Sequence, residues 1–191
     1  ALRRDAIASP PPETVFVSFS HVLASGRPLD AIDLDGFRAG MRAWASGVTV
    51  LTTGHGDRRA GLTATAMCSL SAEPPRLIAC VNQRGPSFTL MRETGHFVVN
   101  VLAQEQANIA ACFASSKDVD RFAIGVWREG DYRGAPVLGA ALCCFECAIA
   151  EIVDAVSHGL IIADIKTVHV SDGARPLLYA AGRFSNLEVE T

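Results

Sequence analysis

What most constrains this chain is a succession of short, β-branched or alternating segments separated by glycine and proline breaks, with no regular exchange of strand and helix between them. Val48 to Thr53, Arg59 to Ser71, Leu77 to Asn82, Phe97 to Leu102, Leu142 to Asp154, Leu160 to Val170 and Leu177 to Ala181 each read as a strand. Gly54-His55-Gly56-Asp57 and Pro74-Pro75 supply turns between the first of them. Helical stretches are few. Asp33 is a suitable N-cap for a helix running to about Ala45, whose Phe37, Met41 and Trp44 recur on one face expected to meet the core. Shorter pieces fit Phe88 to Glu93, Glu105 to Ala114 and a turn through Asp118 to Ile124. A doubly wound parallel sheet needs a crossover after almost every strand. The pattern therefore predicts a mainly β (α+β) domain, a closed antiparallel sheet with a few short peripheral helices.

A chain of 191 residues, 49% of them apolar, can bury one substantial core, so we expect one domain over residues 33–191. Residues 1–32, punctuated by Pro10-Pro11-Pro12 and Pro28 around the alternating Val15-Phe16-Val17-Ser18-Phe19, read as an N-terminal extension. A net charge of −3 offers no field to hold a polyanion, which argues against nucleic acid. No apolar run approaches the roughly 20 residues of a membrane span. Arg3 and Arg4 are not followed by the apolar stretch of a secretory signal. Six cysteines without a small disulfide scaffold's short loops read as reduced thiols, so the expected location is the cytoplasm.

Chemistry is best sought in Gly61 to Ser71. Strand alternation gives it an apolar face (Leu62, Ala64, Ala66, Cys68, Leu70) and a face of Thr63, Thr65, Ser69 and Ser71 around Met67. Small residues and hydroxyls would let a flat heteroaromatic ring approach the backbone; they would equally form a solvated strand face. There is no dinucleotide fingerprint, because Arg59 stands where a third glycine would follow Gly54 and Gly56, and no phosphate loop. Cys143, Cys144 and Cys147 lack a second ligand pair, and residues 144 and 147 of a strand point to opposite faces, so no metal is expected there. His158, between a turn and a strand, either projects into a cleft or is an ordinary turn histidine.

Taken in order, G-V-T-V-L-T-T (47 to 53), R-A-G-L-T-A-T-A-M-C-S-L-S (59 to 71), P-P-R-L-I-A-C-V-N (74 to 82), F-V-V-N-V-L (97 to 102), G-A-P-V-L (134 to 138), F-E-C (145 to 147), S-H-G-L-I-I-A-D-I (157 to 165) and L-L-Y-A-A-G-R-F (177 to 184) resemble the short-chain NAD(P)H:flavin reductases over about residues 34 to 187. That family includes the reductase components of two-component flavin monooxygenases and a cobalt-corrin reductase. The resemblance implies a homodimeric, antiparallel split β-barrel with flavin near the subunit interface. It implies that Thr63, Ala64 and Thr65 line the isoalloxazine ring with Ser69 and Ser71 nearby, and that Asn82 and Ser87 bracket the ribityl and phosphate part. Lys117 would reach the phosphate, and Arg84 would offer a charge-assisted contact in place of a serine-rich segment. His158 matches the histidine of a Gly-Asp-His motif on the nicotinamide side, and Tyr179 and Arg183 match a closing Y-x-x-G-R-F/Y segment. The motif here reads Val156-Ser157-His158, without the acidic neighbour.

The implied activity is hydride transfer from NADH or NADPH to FMN or FAD, supplying reduced flavin to a partner monooxygenase. No general base is obligatory, and His158, the catalytic candidate, would position the nicotinamide. Two alternatives remain open: a flavoenzyme that keeps its flavin and reduces another acceptor such as a cob(II)alt corrin, and a non-catalytic flavin-binding electron carrier.

Overall fold

The computed structural model of the chain describes residues 33–173 and 175–187. The N-terminal extension, with its expected strand at 15–19, lies outside them. The described chain begins with α1 (Leu34–Ala43), β1 (Ser46–Gly47), β2 (Thr49–His55), β3 (Arg58–Ala64), β4 (Met67–Ala72) and β5 (Pro75–Asn82). Then come α2 (Pro86–Thr94), β6 (His96–Val101) and α3 (Ala107–Ala114). It ends with β7 (Trp127–Glu129), β8 (Pro136–Leu138), β9 (Cys143–Ala155), β10 (His158–Val170), β11 (Leu177–Ala180) and β12 (Arg183–Asn186).

Seven strands form one antiparallel sheet in the order β3-β2-β6-β9-β10-β5-β4. Its two edges, β3 and β4, are consecutive in the chain and separated only by Thr65 and Ala66. One cluster of buried side chains draws Leu51 from β2, Ala64 from β3, Leu77 from β5, Phe97 from β6, Cys147 from β9 and Ile161 from β10, with Met67 of β4 packed against it. A single core reached from every strand requires the sheet to curl around it, which is the expected split barrel. Phe88 and Met91 of α2 close that core.

A second cluster lies on the outer face of the same strands, with Val50, Val98 and Cys144 under α3 and the 135–141 segment. Strands β2, β6 and β9 are thus covered on both faces, which explains their continuous rather than alternating apolar runs. Cys144 belongs to the outer cluster and Cys147 to the inner one, as their odd separation along a strand dictates. On that outer face the Asn100 amide donates to Val50 O at 3.0 Å, and its Oδ1 accepts from Leu138 N at 2.7 Å, tying β8 to the sheet.

Two expectations are corrected. The stretch from Arg59 to Ser71 is not one strand: it breaks after Ala64, where the chain crosses from one sheet edge to the other, and Cys68 and Leu70 are exposed rather than core. Helix α1 starts where predicted, with Asp33 accepting from Asp35 N at 3.1 Å and Gly36 N at 3.2 Å. Its apolar stripe, however, meets no core among the described residues: Leu34, Phe37, Met41 and Trp44 are 53 to 70% exposed.

Candidate functional site

The tip of the β9–β10 hairpin presents His158. β9 ends at Ala155, β10 begins at His158, and His158 lies directly opposite Asn82 at the end of β5. Two residues 76 positions apart in the chain are therefore cross-strand neighbours. Asn82 Oδ1 accepts from Arg84 N at 2.9 Å, fixing the turn out of β5, and Arg84 itself is exposed. His158 is exposed, with its Nδ1 2.9 Å from Ser157 Oγ. The next residue must be glycine: a Cβ at Gly159 would lie 2.3 Å from the Phe88 ring.

Where the chain crosses between β3 and β4, an apolar cavity of 610 Å³ opens, lined by Thr65, Ala66, Cys68, Cys80, Trp44 and Ser46 among others. Thr65 and Ala66 are both exposed there, and Ala64 is buried just before them. The other hydroxyls of the expected polar face are differently placed. Thr63 Oγ1 donates to Ala110 O of α3 at 2.7 Å. Ser71 Oγ donates to Pro74 O at 2.6 Å, at the far end of β4, and Ser69, exposed, neighbours Cys68 without lining the cavity.

At the other end of β3, a smaller cavity of 240 Å³ is lined by Arg59, Gly61, Ser87, Asp120, Arg121 and Phe122 among others, with the Asp120 carboxylate accepting from Phe122 N at 3.0 Å. The cavity sits at the first turn of α2, where Pro86 has no N–H and Phe88 N already donates to Gly85 O at 3.1 Å, so the turn offers the Ser87 N–H. Arg121 Nη2 donates to Ser115 O at 2.7 Å, but its Nε is buried with no partner among the described residues. The Arg59 guanidinium lies 4.5 Å above the Phe122 ring. Two arginines, a helix N-terminus and an orphaned buried donor together suit a phosphate. Sequence reading singled out Ser87 here but missed Arg59 and Arg121, because nothing in their spacing predicts that a 3₁₀ turn at Arg121–Ala123 brings them together. Lys117 is exposed in the loop after α3, its N–H donating to Ser115 Oγ at 3.1 Å.

Tyr179 and Arg183 lie in a separate three-stranded sheet, β1-β11-β12. Tyr179 pairs with Ser46, which lines the apolar cavity, and stacks edge-on with Phe184 at 5.7 Å; Arg183 is exposed opposite Ala180. Elsewhere, Asp131, Glu146 and His169 bring their ligand atoms together. The fully buried Glu146 carboxylate accepts from Asp131 N at 3.1 Å and Tyr132 N at 2.6 Å and meets His169 Nε2 at 3.0 Å. This cluster locks a loop rather than facing either cavity.

Residues 41–188 match the model of the flavin reductase like domain. The chain is 33% identical over 165 residues to the FMN reductase (NADH) RutF of Pseudomonas syringae, covering 86% of this chain and 92% of that protein. It is 34% identical over 155 residues to the 4-hydroxyphenylacetate 3-monooxygenase reductase component of Pseudomonas aeruginosa, covering 80% of this chain and 91% of that one. Among solved structures, the Streptomyces globisporus NADH:FAD oxidoreductase SgcE6 in complex with NAD and FAD fragments superposes with a TM-score of 0.77 at 28% identity, over 85% of this chain and 98% of that one.

Proposed function

The chain belongs to the flavin reductase like domain family, and from that premise we infer that it is an NADH-dependent flavin reductase that reduces FMN or FAD and supplies the product to a partner monooxygenase. Its relatives favour this over the corrin-reducing and carrier alternatives. The observation that carries the reading is the line of β3. Its start, at Arg59 to Gly61, borders the two-arginine cavity, and its exit, at Thr65 and Ala66, borders the apolar one. Five or so residues of strand separate them, about 15 Å at ~3.3 Å per residue. A flat ring at one end and a phosphate at the other fit that span.

The bound pair supplies the redox chemistry, a hydride passing from nicotinamide to flavin. The chain's residues bind and orient. We assign the phosphate to Arg59, Arg121 and the first turn of α2 at Ser87, with Lys117 and Arg84 at the rim. Backbone and side chains from Thr63 to Ala66 support the ring, Asn82 the chain between, and His158 the nicotinamide. Thr63 acts through its backbone, its hydroxyl being bound to α3. Ser69 would stand behind the ring-side strand, and Ser71 would hold the turn after β4. The protein works as a homodimer in the cytoplasm, with Tyr179 and Arg183 beside the shared face. No general base is required, because no proton is abstracted.

The test is oxidation of NADH and NADPH with FMN, FAD or no added flavin, alongside flavin binding by Arg121→Ala. Flavin-dependent turnover, with that variant losing affinity for FMN but not for riboflavin, would support the assignment; flavin binding without nicotinamide oxidation would sink it.

A further inference from the structure

Val156, at the tip of the β9–β10 hairpin, has φ 61° and is 85% exposed. A β-branched residue pays a steric penalty in that region, where two-residue hairpin turns favour glycine. Among the described residues its side chain is left in solvent, with no packing to hold it. Strained backbone of this kind persists only where its surroundings over-determine it.

The restraint comes from Gln83, the first residue beyond β5. Its backbone N–H donates to Ser157 O at 3.1 Å. Its side-chain Nε2 donates both to Asp154 Oδ1 and to His158 O, each at 2.9 Å. One residue thus grips the hairpin on both sides of the strained position, at 154 before it and at 157 and 158 after it. Ser157 stands where the resembling motif carries its acid, so the histidine here has a hydroxyl neighbour and an amide clamp instead.

We propose that Gln83 is the positioning residue for His158: it holds a glycine-free hairpin tip in the strained turn that aims the imidazole at the nicotinamide. This rests on the reading of His158 given above. It also gives the first turn out of β5 two tasks, Asn82 and Arg84 being assigned above to the flavin while Gln83, between them, grips the hairpin.

Three variants separate the possibilities, all in the full-length protein with flavin bound. Gln83→Ala should raise the apparent KM for NADH about fivefold with little change in kcat or in flavin affinity, the pattern of lost uniform binding. Amide exchange at residues 155–158 should quicken at the same time. In a His158→Ala background, Gln83→Ala should add less than about twofold, because both changes remove the same interaction. Val156→Gly should reverse much of the rise in KM caused by Gln83→Ala, which a general loss of folding would not allow. An undiminished Gln83→Ala effect in the His158→Ala background would overturn the proposal, since Gln83 would then touch the nucleotide itself. So would an unchanged KM in Gln83→Ala. If His158→Ala leaves KM alone while Gln83→Ala still quickens exchange at the tip, the reading of His158 has failed, and the positioning role falls with it.

Discussion

At the scale of single residues, environment decides which groups are reactive and which only titrate. Burial, with the neighbouring Cys143 and Glu146 charges adding, pushes the Cys144 thiol up to about 12, and burial with Glu146 does the same to Cys147. Cys68 is exposed in the apolar cavity. Alkylation of the flavin-free protein at mild alkaline pH followed by peptide mass analysis should therefore label Cys68 ahead of Cys144 and Cys147, which wait for unfolding, and added flavin should protect Cys68. His96 is an opposite case. Its Nδ1 meets Thr94 O at 3.0 Å and its Nε2 is buried without a partner. Desolvation, with Arg133 and His55 adding, holds it below its ordinary value despite Thr94 O and Glu146. Such a histidine binds its proton more readily in the unfolded chain, so its contribution is complete above the unfolded value of about 6.5 and is lost as pH falls from there toward the folded value. Urea unfolding between neutral and mildly acidic pH should show that loss, and His96→Asn, which cannot titrate, should flatten it. An equal slope in the variant would place the loss elsewhere.

At the scale of elements, the long β9 and β10 carry the molecule, and a buried carboxylate anchors the loop between β7 and β8 onto them. Glu146→Gln replaces one carboxylate oxygen with an NH2 that then faces either the Asp131 or the Tyr132 N–H, each held by a different oxygen. We expect it to destabilise by about 1 to 3 kcal/mol, read from the urea midpoint at unchanged slope. The strands themselves were legible, because runs such as Phe97 to Val101 and Leu160 to Ile165 are buried on one or both faces and say so in their composition. What periodicity could not show was where a strand changes edges: Thr65 and Ala66 continue the alternation of Gly61 to Ser71 while the backbone leaves one edge for the other. β1, β7, β8 and β12, of two to four residues, are too short to carry a pattern. At the site, Asn82 and His158 were found through the motifs they sit in, and the structure makes them neighbours. The roles proposed for Arg59, Arg121 and Gln83 were not legible, since a strand end, a 3₁₀ turn and the residue after β5 are brought to their neighbours only by the closed sheet.

For the whole molecule, the unresolved matter of α1 becomes a statement about assembly. A helix with an orderly cap and a stripe of Leu34, Phe37, Met41 and Trp44 left in solvent is incomplete among the described residues, because exposed contiguous apolar surface of this kind ordinarily marks an interface. Met41 and Trp44 also line the apolar cavity, so whatever covers the stripe borders the space assigned above to the flavin ring. In a homodimer the partner would wall the cavity and exclude water from it, and the site would be complete only in the pair. Phe37→Glu with Met41→Glu removes no core contact of the described protomer and should leave its unfolding transition within about 0.5 kcal/mol. The same double substitution should convert the dimer to monomer in light scattering and weaken flavin binding at least about tenfold. A fall in Tm at unchanged mass would mean that the stripe is covered from within the chain and that the cavity's missing wall is not a second copy.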